Sequence, residues 1–275
     1  MLFRNYRFDN KVVIITGASS GIGKACGYEF AKRGASVVLA SRNIDELNSI
    51  VLDLKSYGTN AIAVKVDVTN IDDCKNLIDE AIKAFGRIDI LINNAGVSMR
   101  ALFKDVDLKV IRRLMEVNFF GALYCTKFAM PYILKSKGSI VGVSSIAGFH
   151  GLPGRSGYSA SKFALQGFLE TIRIENLKKG VHVMIAAPGF TATNVRLSAL
   201  TATGEPQGIS PRDEKKMMTP EKVAKKIANG IILKRRNIIM TFEGKLSILA
   251  QRFIPKTIDR ILYGFMAREP NSPFK

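Results

Sequence analysis

Residues 11–25, KVVIITGASSGIGKA, place a run of mostly β-branched residues directly before a glycine-rich turn and the start of an amphipathic helix. The run is apolar from its second residue to Ile15, which is typical of a strand buried on both faces of a parallel sheet. Gly17 permits a tight turn, and Gly21 and Gly23 allow the backbone to approach a ligand closely. The stretch therefore predicts a strand, a turn and a helix whose N-terminus suits a phosphate group.

The same strand-turn-helix pattern recurs as far as about residue 190. Helices are predicted from Gly21 to Gly34 and over 45–58. Further strand-like runs are ASVVLAS (35–41), AIAVKVDV (61–68), DILINNAG (89–96), GSIVGVSS (138–145) and VHVMIAAPG (181–189), with NIIMTF (237–242) as a candidate last strand. Because strands and helices alternate, right-handed βαβ crossovers are expected. We predict an α/β fold with a doubly wound parallel sheet and helices on both faces.

Length and composition exclude several classes of protein. No apolar run approaches the 18 or so residues of a membrane-spanning helix, and the N-terminus MLFRNYRFDNK has no apolar segment typical of a secretory signal. The cysteines are Cys26, Cys74 and Cys125, odd in number and without CxxC spacing, which favours reduced thiols in a cytoplasmic protein. His150 and His182 are far apart, so no metal centre is expected.

Positive charge is concentrated towards the C-terminus. The 275 residues carry a net charge of +18, and the last 80 contain 16 Lys and Arg against 7 Asp and Glu. Such a field attracts nucleic acid, anionic lipid or phosphorylated ligands, although solubility alone is an alternative explanation. No aromatic RNA-binding motif or helix-turn-helix signature is present, so specific nucleic-acid binding is not expected.

The residues after the first three strands indicate a dinucleotide site. The spacing TGxxxGxG differs from the common GxGxxG, and glycines alone would serve only the turn, but their place between strand and helix predicts a nucleotide. Ser41 stands where an NAD site usually has Asp or Glu, and Arg42 can pair with a 2′-phosphate, which favours NADP(H) over NAD(H). A solvent-facing Arg42 is the alternative. Asp67 is placed to accept from an adenine amino group; a helix N-cap is its alternative role, although Thr69 and Asn70 fit that role better.

Taken together, the motifs identify a family resemblance. The chain carries TGASSGIG (16–23), NNAG (93–96), Asn118, Ser145, YSASK (158–162) and PGFTAT (188–193). In order and spacing these resemble the short-chain dehydrogenase/reductases over about residues 10–240. The resemblance implies a single Rossmann-type domain with a seven-stranded parallel sheet that acts on alcohols and ketones with NAD(P)(H). Membrane-associated members near the hydroxysteroid dehydrogenases, beta-ketoacyl reductases and ketosphinganine reductases are the most similar in overall pattern.

Four catalytic roles follow from this resemblance. Tyr158 is implied as the general acid/base, Lys162 as its partner, Ser145 as the hydroxyl that holds the carbonyl, and Asn118 as the anchor of a proton relay. A free phenol has a pKa near 10, and an ammonium one helical turn away, together with the positive nicotinamide ring, is expected to lower it. Asn118 is predicted inside a long helix over about 105–135, where binding a backbone carbonyl is its alternative role.

The resemblance also implies a set of residues that contact the cofactor. Thr191 and Thr193 are expected to meet the nicotinamide carboxamide and the phosphates, with loop capping as the alternative. Asn94, Ala95 and Gly96 are expected along the adenosine ribose. The complete set is Gly17, Ser19, Ser20, Gly21, Ile22, Gly23, Ser41, Arg42, Asp67, Val68, Asn94, Ala95, Gly96, Tyr158, Lys162, Pro188, Gly189, Thr191 and Thr193.

Two segments break the strand-helix rhythm and are assigned to the substrate. We predict a catalytic domain over 1–245 that includes a lid at 191–218, and a basic amphipathic tail over 246–275. The lid suits a bulky apolar ketone through Val195, Leu197, Leu200, Ile209, Met217 and Met218. The tail repeats apolar residues at helical spacing, with Pro255 as an interruption. It is expected either to rest on an anionic membrane or to pack on the sheet or a second subunit.

The sequence thus predicts an NADPH-dependent oxidoreductase that interconverts a ketone and a secondary alcohol on a lipid-like substrate of steroid, ketosphingoid or ketoacyl type. The alternative is an NADP(H)-binding regulatory protein with little turnover. By resemblance, the protein is expected to form homodimers or homotetramers through helices at about 105–135 and 157–179. His150 is expected to be a loop residue, and its place along the substrate cleft is the less favoured alternative. His182 is expected within a strand.

Overall fold

The computed structural model describes residues 7–210, 213 and 217–274. The remaining residues are 1–6, 211–212, 214–216 and 275. Parts of the predicted domain at 1–245, of the lid at 191–218 and of the tail at 246–275 therefore lie outside the described residues.

A seven-stranded sheet forms the centre of the molecule. Its strands are β1 (Val12–Thr16), β2 (Ser36–Ser41), β3 (Ala61–Lys65), β4 (Ile90–Asn93), β5 (Ser139–Val143), β6 (His182–Ala187) and β7 (Asn237–Ile239). All neighbours are parallel in the order β3-β2-β1-β4-β5-β6-β7. The predicted doubly wound parallel sheet is confirmed, and the run at 237–242 does contain the last strand. The order reverses between β1 and β4, where such sheets bind ligands.

Nine α-helices are found in the part of the chain that the structure describes. They are α1 (Gly21–Lys32), α2 (Ile44–Ser56), α3 (Ile71–Phe85), α4 (Leu108–Met115), α5 (Gly121–Ser136), α6 (Ser156–Glu175), α7 (Pro220–Ile232), α8 (Phe242–Phe253) and α9 (Pro255–Ala267). Apolar side chains on the two faces of the sheet form two separate core clusters. One face packs on α1, α2 and α7 and the other on α3, α5 and α6, as expected when parallel strands are covered on both sides.

The long helix predicted over 105–135 is wrong as a continuous α-helix. A π-helical turn at Glu116–Phe120 separates α4 from α5. The buried Asn118 lies in this turn and binds the backbone of Val97 through both of its amide atoms. Such wider turns are frequent at functional sites. The helix predicted to reach residue 179 likewise ends at Glu175 and is followed by a 3₁₀ turn.

The C-terminal region forms two helices that meet at a proline. Pro255 is the first residue of α9, and α8 ends at Phe253, so the predicted interruption is confirmed. Between 7 and 274, leaving aside the gaps given above, no helix is both long and apolar enough to cross a membrane.

Candidate active site

The glycine-rich turn after β1 is shaped by very close backbone approaches. Gly17 has φ of +65°, and a Cβ on it would lie 2.8 Å from Ala95 Cα. A Cβ on Gly23 would lie 2.2 Å from the Gly17 carbonyl oxygen. Since real side chains do not approach backbone so closely, only glycine fits at these two positions. The turn delivers the N-terminus of α1, which begins at Gly21, to the carboxyl end of the sheet.

Asn94 and Thr16 hold this turn against the end of β4. The Asn94 side-chain amide donates to the carbonyl oxygens of Thr16 at 2.9 Å and Gly17 at 3.1 Å. The Thr16 hydroxyl accepts from the backbone N–H groups of Asn94 at 3.0 Å and Ala95 at 3.1 Å. Asn94 was expected along a ribose, and its side-chain amide nitrogen instead donates hydrogen bonds within the glycine turn. Thr16 was missed as a site residue, although it begins the motif TGASSGIG.

The ends of β2 and β3 bring the expected specificity residues to the same edge. Ser41 exchanges hydrogen bonds with the backbone of Asn43, and the neighbouring Arg42 is exposed. Asp67 accepts from the N–H of Thr69 at 3.0 Å and from its hydroxyl at 2.8 Å. Burial opposes ionisation of Asp67, but these hydrogen bonds and the charges of nearby arginines outweigh it and lower its pKa.

The cap of α3 is not Asp67 but Asn70. Its side-chain oxygen accepts from the backbone N–H groups of Asp72 at 2.8 Å and Asp73 at 3.3 Å. The cap is thus one of the two residues that the sequence favoured for it, and Asp67 does not take this role. Val68, which follows it, packs against Gly121, where a Cβ would lie 2.8 Å from the Val68 side chain.

Asn118 links the segment after β4 to α6, the helix that carries Tyr158. Its Oδ1 accepts from the Val97 N–H at 2.8 Å, and its Nδ2 donates to the Val97 carbonyl at 2.9 Å and to Ser161 Oγ at 2.9 Å. The Ser161 hydroxyl donates in turn to the Tyr158 carbonyl at 2.8 Å. Ser161 was missed as a positioning residue, and its place inside YSASK was the only signal for it.

Tyr158, Ser145 and Lys162 meet at the carboxyl end of β5. Ser145 caps a short 3₁₀ turn by accepting from the Ala147 N–H at 3.2 Å, and its hydroxyl hydrogen-bonds with Tyr158. The Lys162 ammonium donates to the Val143 carbonyl at 2.9 Å and lies 5.8 Å from the centre of the Tyr158 ring. Gly96 adjoins Asn118 and Lys162, since a Cβ on it would lie 3.1 Å from Asn118 Oδ1 and 3.4 Å from Lys162 Nζ.

In the protein alone, burial has the largest influence on the pKa values of Tyr158 and Lys162. Burial raises the pKa of Tyr158, although the Ser145 hydrogen bond and the charge of Arg155 act in the opposite direction. Burial also lowers the pKa of Lys162 to about 8. The lowering of the Tyr158 pKa expected from Lys162 is therefore not found in the protein alone. The reason is that burial destabilises both charged forms, and Lys162 directs its ammonium to a backbone carbonyl.

The loop after β6 closes on the glycine turn. The Thr193 methyl group faces Gly21, where a Cβ would lie 3.1 Å from it. The hydroxyls of Thr191 and Thr193 donate to nearby backbone carbonyls, as loop-capping residues do. Arg196, buried and missed by the sequence analysis, donates to the Thr191 carbonyl at 2.7 Å and fixes the start of the lid.

The two histidines have structural partners. His150 is buried, and its Nε2 lies 3.2 Å from Ser247 Oγ on α8. His182 begins β6, as expected, and contacts Ser139 Oγ and the Arg235 carbonyl. No cluster of three metal-ligating residues occurs among residues 7–210, 213 and 217–274. The three cysteines are free thiols and are buried.

The predicted site residues thus converge from separate strands onto one edge of the sheet. The glycine turn adjoins Asn94, Ala95 and Thr193, while Gly96 adjoins Asn118 and Lys162. Ser19, Ser20 and Ile22 lie in the same turn, with Ser20 preceding α1. Pro188 and Gly189 follow β6, and a Cβ on Gly189 would lie 2.5 Å from the Thr241 side chain.

Comparisons with known proteins agree with this geometry. Residues 11–203 match the family model described as short chain dehydrogenase. The chain is 43% identical over 197 residues to 11-beta-hydroxysteroid dehydrogenase-like 2 of Arabidopsis thaliana, an alignment that covers 70% of this chain and 64% of that protein. The chain therefore spans less than two thirds of the length of this plant relative.

Two further matches extend over most of the chain. Dehydrogenase/reductase SDR family member 7B of Danio rerio is 34% identical over 258 residues, covering 91% of this chain and 84% of that protein. The crystal structure of a short chain dehydrogenase/reductase from Burkholderia phymatum, in complex with NAD, aligns with a TM-score of 0.82 at 24% identity. That alignment covers 91% of this chain and 96% of the bacterial one, and it supports the fold.

Proposed function

The chain belongs to the short-chain dehydrogenase/reductase family, and on that premise we propose that it is an NADPH-dependent oxidoreductase that interconverts a ketone and a secondary alcohol. The observation that carries this proposal is the convergence of four side chains beside the glycine turn. Asn118 reaches the Tyr158 backbone carbonyl through Ser161, Ser145 hydrogen-bonds with Tyr158, and Gly96 lies between Asn118 and Lys162.

A dinucleotide fits the residues at this edge of the sheet. The cradle around Gly17 and Gly23 leaves no room for a side chain, and the N-terminus of α1 offers backbone N–H groups to a pyrophosphate. Asp67 is the candidate for the adenine amino group, and Thr191 and Thr193 are the candidates for the nicotinamide end. When bound, the reduced dinucleotide supplies the hydride that the carbonyl carbon accepts.

The chain's own residues would then position the substrate and move the proton. Ser145 holds the substrate oxygen through its hydroxyl, next to Tyr158. Tyr158 donates its phenolic proton to the oxygen that develops negative charge. With a pKa of about 8, Lys162 is mostly protonated near neutral pH, and its charge stabilises the phenolate that remains. Asn118 fixes the helix turn that carries Tyr158 through Ser161 and the Tyr158 carbonyl. Its proposed role is to anchor the relay by which a new proton arrives.

Replacement of Tyr158 tests the proposed chemistry. Tyr158→Phe removes the donated proton and keeps the ring, so ketone reduction is expected to fall by about 10²–10⁴-fold while NADPH still binds. Tyr132→Phe, the same change at a half-buried residue of α5, serves as the control. Unchanged turnover in Tyr158→Phe would refute the mechanism. An unmodified chain that binds NADPH without reducing any ketone would instead support the alternative of a regulatory protein.

The preference for NADP(H) rests on Arg42. This exposed guanidinium follows Ser41 at the end of β2, where no carboxylate side chain stands to bind ribose hydroxyls. Arg42→Ala is expected to lower kcat/KM with NADPH by about tenfold or more and to leave NADH little affected. Arg235→Ala removes an exposed arginine at the opposite end of the sheet and should change neither. Equal losses with both cofactors would remove the assignment.

The proposed substrate class is a bulky apolar ketone of steroid, ketosphingoid or ketoacyl type. Its support is the name of the plant relative, a hydroxysteroid dehydrogenase-like protein, and the apolar lid residues near the site. Met99 and Ala101 form a small apolar cluster with Tyr158 and the lid residue Leu200. NADPH consumption across a graded panel of ketones, from cyclohexanone to ketosteroids and long-chain ketones, should rise with apolar size. A preference for the small members would contradict this class.

We propose that the tail helices rest on an anionic membrane surface. Large apolar side chains of α8 and α9 are exposed: Phe242, Leu246, Leu249, Phe253, Ile261, Tyr263 and Phe265. Lys245, Arg252, Lys256 and Arg260 are exposed on the same two helices. Apolar burial combined with attraction to acidic headgroups is the physical basis of binding by such helices.

Vesicle co-sedimentation tests this surface with the full chain. Serine at Leu246, Leu249 and Phe253 together is expected to abolish binding to vesicles that contain phosphatidylglycerol. Serine at Leu52 and Leu177, which are exposed elsewhere, provides the control. Unchanged sedimentation would refute the proposal. A change of the oligomer to a monomer in light scattering would instead identify the tail as a subunit contact.

A homodimer or homotetramer is proposed through α5 and α6. The half-buried rings of Phe119 and Phe120 lie in the π-helical turn just before α5, that of Tyr124 lies in α5, and Phe119 contacts Phe168 of α6. The exposed Phe163 extends this face. Aromatic residues are enriched in subunit interfaces. Light scattering of Phe163→Lys should report a smaller species, and an unchanged mass would contradict the assignment.

A further inference from the structure

The end of the tail returns to the segments around the proposed site and contacts Arg100 there. Arg100 follows β4, and its Nη2 donates to the Pro270 carbonyl at 2.7 Å. The same nitrogen lies 3.4 Å from the Glu269 carboxylate, and both side chains are only 5% exposed. We name residues 269–274 the strap. A buried pair of this kind is costly to break, because removal of one partner leaves the other charge desolvated.

Arg100 also belongs to the segment on which the lid rests. Its backbone N–H donates to the Leu200 carbonyl at 2.8 Å, and the Leu200 N–H donates to the Ser98 carbonyl at 2.9 Å. The next residue, Ala101, donates to the Gly154 carbonyl at 3.0 Å, shortly before the catalytic helix begins. Arg100 is therefore the point at which the lid, the approach to Tyr158 and the strap are joined.

Further contacts place the tail over the same segments. Pro273 packs near Gly154, where a Cβ would lie 3.5 Å from Pro273 Cγ. The ring of Phe265 lies 6.4 Å from that of Phe190, which directly precedes the lid. The strap therefore lies beside the segments that carry Tyr158 and the lid.

We propose that Arg100 is a specificity-determining residue, because its ion pair with Glu269 fixes the strap as a wall of the substrate cleft. This inference rests on the proposed function. A wall of this kind contacts the distant part of a large ketone and is not reached by a small one. Arg100 acts through the strap and touches no reacting group, so it is a positioning residue.

The first test measures the strap directly in the full chain without substrate. Arg100→Met is expected to speed amide hydrogen exchange across the strap by about tenfold while β1 and β4 are unaffected. Glu269→Gln breaks the same ion pair and should also speed exchange across the strap. Lys75→Met and Asp79→Asn, in an exposed pair on α3, are the controls. Unchanged exchange in the strap would overturn the proposal.

The second test measures specificity with the largest and the smallest ketone that the unmodified chain reduces. Arg100→Met should raise KM for the large ketone by about tenfold and leave kcat and the small ketone nearly unchanged. Arg100→Lys, which keeps a charge near Glu269, should restore much of the preference. A preserved ratio, or equal losses for both ketones, would overturn the proposal. Tyr158→Phe abolishes both reactions if the proposed function holds, so failure of the two ideas is distinguishable.

Discussion

The two sides of the catalytic cleft are built in different ways. On the cofactor side, backbone segments from neighbouring strand ends touch so closely that Gly17 and Gly23 have no room for a methyl group. On the substrate side, single polar contacts join segments that are distant in sequence. His150 and Ser247 are 97 residues apart, and Arg100 and Pro270 are 170 apart. The cofactor side is constrained by steric exclusion, whereas the substrate side depends on contacts that mutation can remove one at a time.

The largest expected effect follows from adding one methyl group on the cofactor side. Gly23→Ala places a Cβ 2.2 Å from the Gly17 oxygen, so the turn must shift. NADPH affinity is expected to fall by about 100-fold, equivalent to about 3 kcal/mol, in a fluorescence titration. Gly167→Ala adds the same methyl at an open, exposed position of α6 and should leave affinity unchanged. Equal NADPH affinities for the unmodified chain, Gly23→Ala and Gly167→Ala would refute steric exclusion as the constraint on the cofactor side.

A somewhat smaller effect is expected at the residue that joins the two sides. Asn118→Leu leaves the N–H and the carbonyl of Val97 and the hydroxyl of Ser161 without this partner. The free energy of unfolding in urea should fall by about 2–3 kcal/mol. Asn176→Ala, which removes one hydrogen bond from a buried asparagine at the end of α6, should cost about 1 kcal/mol. A cost no greater than that of the control would mean that Asn118 does not brace the junction.

Lys162 makes the stability of this junction depend on pH. Its pKa falls from 10.5 in the unfolded chain to about 8 in the folded one, because burial disfavours the ammonium. Between these values the unfolded state binds more protons, so the Lys162 contribution to stability increases as the pH rises through this window. From about pH 7 to about pH 9.5, the unmodified chain should gain about 2 kcal/mol relative to Lys162→Met in urea unfolding. A constant difference across that range would refute the depressed pKa.

The contrast between the two sides also explains what the sequence could predict. The cofactor side depends on glycine spacing within one turn and on strand runs that are apolar at nearly every position, and both are legible in sequence. The parallel sheet with seven strands and the placement of the glycine turn before α1 follow from those patterns. The bracing of that turn by Thr16 and Asn94 was not predicted, because it depends on how β1 and β4 lie together.

The substrate side was predictable only in outline. The interruption at Pro255 is a local property of proline and was foreseen. The π-helical turn at Asn118 and the ion pair between Arg100 and Glu269 arise from tertiary contacts that no local pattern encodes. The predicted lowering of the Tyr158 pKa includes a bound nicotinamide ring and stays a prediction. In the protein alone burial raises this pKa, since spacing shows the distance to Lys162 but not the burial that both groups share.

The smallest expected effect lies at the contact between His150, in the connection from β5 to α6, and Ser247 on α8. Ser247→Ala removes the hydroxyl 3.2 Å from His150 Nε2 and leaves that buried nitrogen without this partner. The free energy of unfolding should fall by about 1 kcal/mol, and Ser56→Ala, at an exposed position of α2, should cost less. NADPH affinity should not change, because the described hydrogen bonds of the Ser247 hydroxyl go to His150 and to the Gly244 carbonyl and not to the glycine turn. A loss of affinity comparable to that of Gly23→Ala would show that the two sides are mechanically coupled, and the distinction between them would fail.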